Sequence, residues 1–287
     1  MSAITMSVKT LIKQITPKPL LNLARCQIEK RALGKIPPEP ASFTHLRRVD
    51  RSALDKLFDS ETVGAEWNTV QDELKGLGLW NPQGGTGAPD LRALYYLIRH
   101  FGFSAVLEVG THIGCSTATN GIALGRLDGP KRPKLVTVDI ADVNDETNGP
   151  WRDIGLKNPP GRVIEDLHLD VEVEFVQSGS VDYLRGTDQQ FDFIFLDGDH
   201  TAGTVYQEIA LATRALRPDG LIVLHDYSPR LMFQHYYDGW TIPGPYLAAR
   251  RISRENEAVD VVALGRLPWM TGKGTSLLAI LARSRAI

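Results

Sequence analysis

From Ala105 to Leu224 short apolar runs alternate with helix-length segments, and that order leaves few folds open. The runs are Ala105–Val109, Lys134–Ile140, Val173–Val176, Phe191–Leu196 and Leu221–Leu224. They are largely apolar at successive positions rather than at every second one, as expected of strands covered on both faces. Ser116–Leu127 and Gly203–Leu216 read as helices between them. Strand and helix in this alternation build a parallel sheet with helices on each side. After Leu224 the pattern changes. Val259–Ala263 and Ser276–Leu281 are joined by a Gly/Pro-containing stretch with no room for a long helix, and are expected as an antiparallel hairpin closing the sheet edge. The fold class is therefore α/β: doubly wound, mostly parallel and seven-stranded.

Residues 1–80 read differently, as a basic arm and helical cap ahead of a main domain at 81–287. Segments 51–59 and 66–77 look like short helices, and Pro37-Pro-Glu-Pro40 is extended, since consecutive prolines disfavour helix. The Gly/Pro-rich stretch Asn81–Pro89 is a loop that could fold over a ligand. Pro89-Asp90 then opens a helix, with an acid near its positive dipole end and Leu91, Leu94, Leu97 and Ile98 on its apolar face.

The arm holds Lys9, Lys13, Lys18, Arg25, Lys30, Arg31 and Lys35 against one acid, Glu29, with Leu11, Ile12, Ile15, Leu20, Leu21 and Leu23 between them. Residues 1–36 thus suit peripheral contact with anionic lipid or an acidic partner, or a short helix packed on its own domain or on a dimer mate. A homo-oligomer formed through residues 1–80 is the expected assembly. The whole chain carries a net charge of −2, without the basic excess that nucleic-acid binding leaves. Cys26 and Cys115 are its only cysteines, which fits a reducing cytoplasm and excludes a disulfide framework. No apolar run reaches the roughly 18–20 residues of a membrane span.

The first strand of the alternation ends in Glu108-Val-Gly-Thr-His-Ile-Gly114, followed by Cys115-Ser-Thr117. Ligands of doubly wound sheets bind beyond the strand ends where strand order reverses. Gly110 and Gly114 let the backbone turn tightly, and Ser116 or Thr117 can cap the next helix, whose amides favour an anionic or polar group. A dinucleotide fingerprint would space its glycines as G-x-G-x-x-G; this turn has G-x-x-x-G. Glu108, two residues ahead of the first glycine, suits a cationic ligand rather than a pyrophosphate. Asp139 ends the second strand and can accept both ribose hydroxyls. Gln177-Ser-Gly-Ser180 after the third offers small polar groups for an adenine edge.

Taken in order, the Glu108–Gly114 turn, Asp139, Phe191-Asp-Phe-Ile-Phe-Leu-Asp-Gly-Asp199 and Leu216-Arg-Pro-Asp-Gly-Leu-Ile-Val-Leu-His-Asp226 resemble class I S-adenosylmethionine-dependent methyltransferases. The resemblance spans residues 80–285, with Gly274 before the last strand. It implies a Rossmann-like fold and S-adenosyl-L-methionine held by Glu108, Gly110, Thr111, Gly114, Ser116, Thr117, Asp139, Ser180 and Asp197.

Asp197-Gly-Asp-His200 and His225-Asp-Tyr227 end neighbouring strands in that fold, so two carboxylates and two imidazoles meet at one rim beside the cofactor. Such a cluster suits a divalent metal or acid–base work. An alcohol is a poor nucleophile and needs a base, a metal or both; His200 is the expected base, because an imidazole titrates near neutrality. The D-G-x-H sequence is similar to that of macrolide-sugar O-methyltransferases, with a related arrangement in the catechol group. By that resemblance Asp197 and Asp226 bind a metal and His200 is the catalytic base. Those relatives carry an acid at the position of His225. A His225 ligand favours Mn²⁺ or a softer ion over Mg²⁺, and a metal-free site is the alternative. Asp199 is also read as a cap for the following turn, Asp197 as orienting the cofactor amine, His225 as a structural residue, and His112 as a wall of the ligand site. His45, His100, His168 and His235 stand outside any constellation.

Phe233, Tyr236, Tyr237, Trp240 and Tyr246 crowd the segment after the fifth strand, as an acceptor wall or as a packed loop before a helix at Tyr246–Ser253. The expected activity is O-methylation of a small-molecule or glycosyl hydroxyl. Alternatives are a metal-independent N- or O-methyltransferase and a non-catalytic subunit that binds S-adenosylmethionine.

Overall fold

The computed structural model describes residues 17–49, 51–227, 241–264 and 276–282. Its seven strands are β1 (Ala105–Val109), β2 (Lys134–Asp139), β3 (Glu172–Gln177), β4 (Phe191–Leu196), β5 (Leu216–Leu224), β6 (Val259–Ala263) and β7 (Leu278–Ala282). They form one sheet in the order β3-β2-β1-β4-β5-β7-β6. The first five run parallel, and β7 lies antiparallel between β5 and β6. The chain reverses direction across the sheet between β1 and β4, as the strand order of a doubly wound fold requires.

Helices cover both faces. On one lie α2 (Arg51–Leu57), α3 (Glu61–Gly76), α4 (Ala88–Phe101) and α5 (Cys115–Gly125). On the other lie α1 (Lys18–Leu33), α8 (Ser180–Gly186), α9 (Ala202–Ala212) and α10 (Gly244–Glu255). Two short helices, α6 (Pro150–Asp153) and α7 (Pro160–Asp166), fill the passage from β2 to β3. Successive strand residues serve opposite cores: Phe193 and Phe195 pack with α4 and α5, while Ile194 and Leu196 pack with α9. That two-sided burial is why these strands are apolar without alternation.

The expected helix Gly203–Leu216 stops at Ala212, and β5 starts at Leu216, five residues ahead of the expected Leu221. Arg217–Gly220 form a bulge there. Phe191 pairs with Leu216 and Phe193 with Leu221, so three extra residues are accommodated, with Asp219 at a φ of 59°. The segment after the proline linker pairs with this bulge: Leu46 bridges Gly220, and the Arg47 amide donates to the Gly220 carbonyl at 2.9 Å. Helix α3 begins five residues before the expected segment 66–77, capped by the Ser60 hydroxyl. The arm's Lys18–Leu33 portion is a helix packed on α9 and α10; Lys9, Lys13, Leu11, Ile12 and Ile15 lie outside the described residues. Among the described residues no helix is long and apolar enough to cross a membrane.

Candidate active site

The turn after β1 sits where strand order reverses. Gly110 has a φ of 96°, and a Cβ there would lie 2.2 Å from the Asp197 carbonyl oxygen, so only glycine lets this turn touch the end of β4. Gly114, at a φ of 82°, is itself the N-cap of α5. Ser116 and Thr117 therefore lie inside the first turn, and the capping role expected of them does not occur. Both are buried.

Glu108 also differs from expectation. It is fully buried behind the turn, so it cannot face a cationic ligand directly; its Oε2 accepts from Thr117 at 2.5 Å and from Thr137 at 2.7 Å. Thr111, likewise buried, shares a 2.6 Å hydrogen bond with Thr137. Burial pushes the Glu108 carboxyl up to about 7, against the pull of the Ser116, Thr117 and Thr137 hydroxyls. Its Oε1 makes no hydrogen bond of normal geometry. The Ser116 hydroxyl influences it from nearby without closing one.

Asp139 is at the open side. Its carboxylate accepts from the His112 amide at 2.8 Å and the Ala141 amide at 2.9 Å, which fixes its orientation at the rim. Beside it Ile140 stands 80% exposed, a residue the sequence reading passed over. Ser180 opens α8, but its hydroxyl faces inward. It lies close enough to the buried Glu208 to pull that carboxyl down, while burial pushes it up to about 7. The loop before α4 folds over the turn as expected, with Thr86 Oγ1 donating to Asp197 Oδ2 at 3.4 Å and Gly84 beside the His112 ring.

The ends of β4 and β5 bring the predicted acid and histidine residues together. His225 is clamped: Nδ1 is 2.9 Å from Asp197 Oδ1 and 3.6 Å from Asp226 Oδ1, and Nε2 is 3.3 Å from Asp90 Oδ2. Burial alone would push this imidazole down; the charges of Asp197 and Asp226 and the bonds to Asp197 and Asp90 outweigh it, holding it well above the usual histidine range. His200 is farther out, its side chain 39% exposed, with Nε2 3.6 Å from Asp226 Oδ2. Asp226 reaches both histidines from a backbone φ of 53°. One ligand atom from each of Asp197, His225 and Asp226 falls within 4.8 Å of the others, the set expected to hold a metal.

Asp90 is the member the sequence reading missed. By sequence it is a first-turn acid; in the fold it also accepts from the Ser276 amide and hydroxyl, both at 3.1 Å, joining α4 to the approach of β7. Asp199 has the modest role, accepting from the Thr201 amide at 2.7 Å just before α9. His45 bonds to the Leu216 carbonyl, away from the site. Phe233, His235, Tyr236, Tyr237, Trp240 and Gly274 lie outside the described residues. Tyr246, in α10, packs 5.9 Å from Tyr227.

Residues 107–227 match a family model described as a methyltransferase domain. No curated protein sequence matches the chain. Among solved structures it is similar to a Klebsiella pneumoniae protein assigned as an O-methyltransferase, at 17% identity and a TM-score of 0.52, over 92% of this chain and 100% of that one. It is also similar to the O-methyltransferase of Bacillus cereus in complex with S-adenosylhomocysteine, at 18% identity and 0.51, over 91% and 99%. A third is the Streptomyces achromogenes O-methyltransferase of tomaymycin synthesis in complex with S-adenosylmethionine, at 15% identity and 0.51, over 94% and 100%. Residues 107–227 thus resemble a methyltransferase domain, and the chain shares the fold of these O-methyltransferase structures.

Proposed function

From that resemblance as premise, we propose that the chain methylates a hydroxyl of a small molecule or sugar, with His200 taking the hydroxyl proton. The observation that carries this reading is the position of His200: open to an acceptor, at the strand end next to the cofactor turn, with Asp226 3.6 Å behind its Nε2. The named activity of the similar structures, O-methyl transfer, supports the same reading.

The residues present fit S-adenosylmethionine. Asp139 is held ready for a diol, and the exposed Ile140 offers an apolar face to an aromatic base. The first-turn amides of α5 have no intrahelical partners and suit a carboxylate. Asp197 and Asp226 flank a single imidazole at the rim, leaving an excess of negative charge that matches a cationic ligand. Glu108, Thr111, Ser116 and Thr117 act from behind by fixing the shape of the Gly110–Gly114 turn, and Ser180 by packing against Glu208. Bound there, the sulfonium supplies an electrophilic methyl carbon together with its own leaving group. His200 accepts the proton as the acceptor oxygen attacks, and Asp226 orients the ring and stabilises the imidazolium that forms.

A divalent metal is a second reading, favoured by the convergence of Asp197, His225 and Asp226. It fits with His225 neutral, its proton on Nε2 toward Asp90 and Nδ1 free to ligate; Asp90 then stands behind the ligand. Two carboxylates and an imidazole suit Mn²⁺ better than Mg²⁺. With His225 protonated, Nδ1 carries a proton and has no lone pair to ligate, and the cluster serves positioning alone.

Label transfer from S-adenosylmethionine to a panel of sugars and phenols, with and without chelator, tests these readings. His200→Ala should lower turnover by about 10²–10⁴-fold, while calorimetry finds cofactor affinity within about twofold. Near-normal turnover in that variant would remove His200 as the base. Label found only on amines would exclude the hydroxyl assignment, and turnover indifferent to chelator would exclude the metal.

A further inference from the structure

Three of the four large apolar side chains that stand exposed among the described residues belong to one helix. Leu20, Leu23 and Ile28 of α1 are 56%, 57% and 65% exposed. At about 100° per residue they fall on one side, with Ala24 and Gln27 between them. Arg31 continues that side and Lys30 flanks it, and Lys35 follows just past the helix end, all exposed.

The opposite side is committed to the domain. Cys26 and Leu33 are buried in the core shared with α9 and α10. Glu29, the only acid among the first 36 residues, accepts from the Ala202 amide at 2.8 Å and is turned away from the outer face. Arg251 donates to the Leu33 carbonyl at 2.7 Å. Asn22 accepts from the Thr241 amide at 3.1 Å, and Arg25 reaches the Thr241 carbonyl at 3.4 Å. The helix that presents the exposed row is thus fastened beside the His200 loop.

We propose that the outer face of α1 docks this protein on an anionic lipid bilayer. Apolar side chains that enter the headgroup–acyl boundary, beside cations at headgroup level, are what an interfacial helix needs. Charge is segregated to match. Residues 1–36 hold seven basic side chains and one acid, whereas the chain as a whole is net −2, so everything after them is net acidic. The cationic stretch is therefore the part that an anionic surface attracts. Residues 1–16 extend the same composition, with Lys9, Lys13, Leu11, Ile12 and Ile15 and no acid. Because α1 touches Ala202 and Thr241, docking would hold the rim near the surface, where a lipid-borne hydroxyl is within reach. The docking itself does not depend on the reaction proposed above.

The test is flotation of the purified full chain with vesicles of phosphatidylcholine alone, or with three-tenths phosphatidylglycerol, in low and raised salt. The anionic vesicles should carry several-fold more protein, and raised salt should release it. Leu20→Ser/Leu23→Ser/Ile28→Ser should lose most of that binding. Lys30→Glu/Arg31→Glu/Lys35→Glu should weaken it by about tenfold or more. Both variants should bind S-adenosylmethionine as the parent does, which shows that they fold. Equal, weak binding to both vesicle types overturns the proposal, as does a serine variant that floats like the parent. It is also overturned if the parent ignores vesicles while the serine variant alone turns from dimer to monomer in sedimentation, which would make a second copy the occupant. Release of a co-purified acidic protein without vesicle binding likewise overturns it.

Discussion

The ends of β1 and β4 are neighbours in the sheet, yet they handle buried polarity in opposite ways. Behind the β1 turn a single carboxyl, Glu108, is satisfied by hydroxyls of residues close in the fold, and burial favours its neutral form. At the β4–β5 rim, Asp90, Asp197 and Asp226 are satisfied by charge, through His225, in a group drawn from α4 and two strand ends. The first end keeps its carboxyl protonated below about pH 7; the second holds several charges in a fixed arrangement. On the function proposed above, the first end shapes the cofactor turn, whereas the second holds a proton acceptor beside a cationic ligand. The difference follows from the work each end has to do.

The largest effect should come from the contact that joins the two. Gly110→Ala would place a Cβ 2.2 Å from the Asp197 carbonyl, at a φ of 96° that L side chains rarely adopt. Backbone lies on both sides, so neither can yield cheaply. The expected loss is about 3 kcal/mol or more, read by urea denaturation, together with loss of S-adenosylmethionine binding. A variant as stable as the parent, still binding the cofactor, would show the two ends to be independent.

Asp90→Asn separates them differently. Asparagine keeps an acceptor for the Ser276 amide but removes the charge facing His225 Nε2. Turnover should fall by about 10–100-fold, the range for a carboxylate standing behind a site residue, with cofactor affinity unchanged. A fall in both would place Asp90 in the cofactor site instead. Its part in the rim was not legible in the sequence. An acid after Pro89 has a sufficient local explanation in the helix dipole, and His225 is 135 positions away. The strands and the glycine turn were legible because their signals are local, in two-sided burial and in glycines that bend the chain. Where the signal depends on a distant partner, reading failed. Leu216 joins β5 because Phe191, on the neighbouring strand, pairs with it. Helices α6, α7 and α8, of four to seven residues, are too short to show a period at all.

Glu108→Gln should have the smallest effect, and its sign with pH tests the claim that the β1 end is neutral. The folded carboxyl is raised from 4.5 to about 7, so between those values the folded state binds more protons than the unfolded one. Stability of the parent therefore declines as pH rises through that window, by about 1 kcal/mol per pH unit at most. Above it the full penalty for a buried carboxylate remains. Glutamine cannot ionise and still offers a carbonyl to Thr117 and Thr137. The variant should be no more stable than the parent at pH 5 and should gain on it steadily toward pH 8. The same titration on Glu208→Gln should give a second slope of like sign, since burial raises that carboxyl to about 7 as well. A difference between Glu108→Gln and parent that stays flat from pH 5 to 8 would mean that Glu108 is ionised throughout. The two strand ends would then share one kind of electrostatics, and the contrast between them would reduce to the number of charges each has gathered.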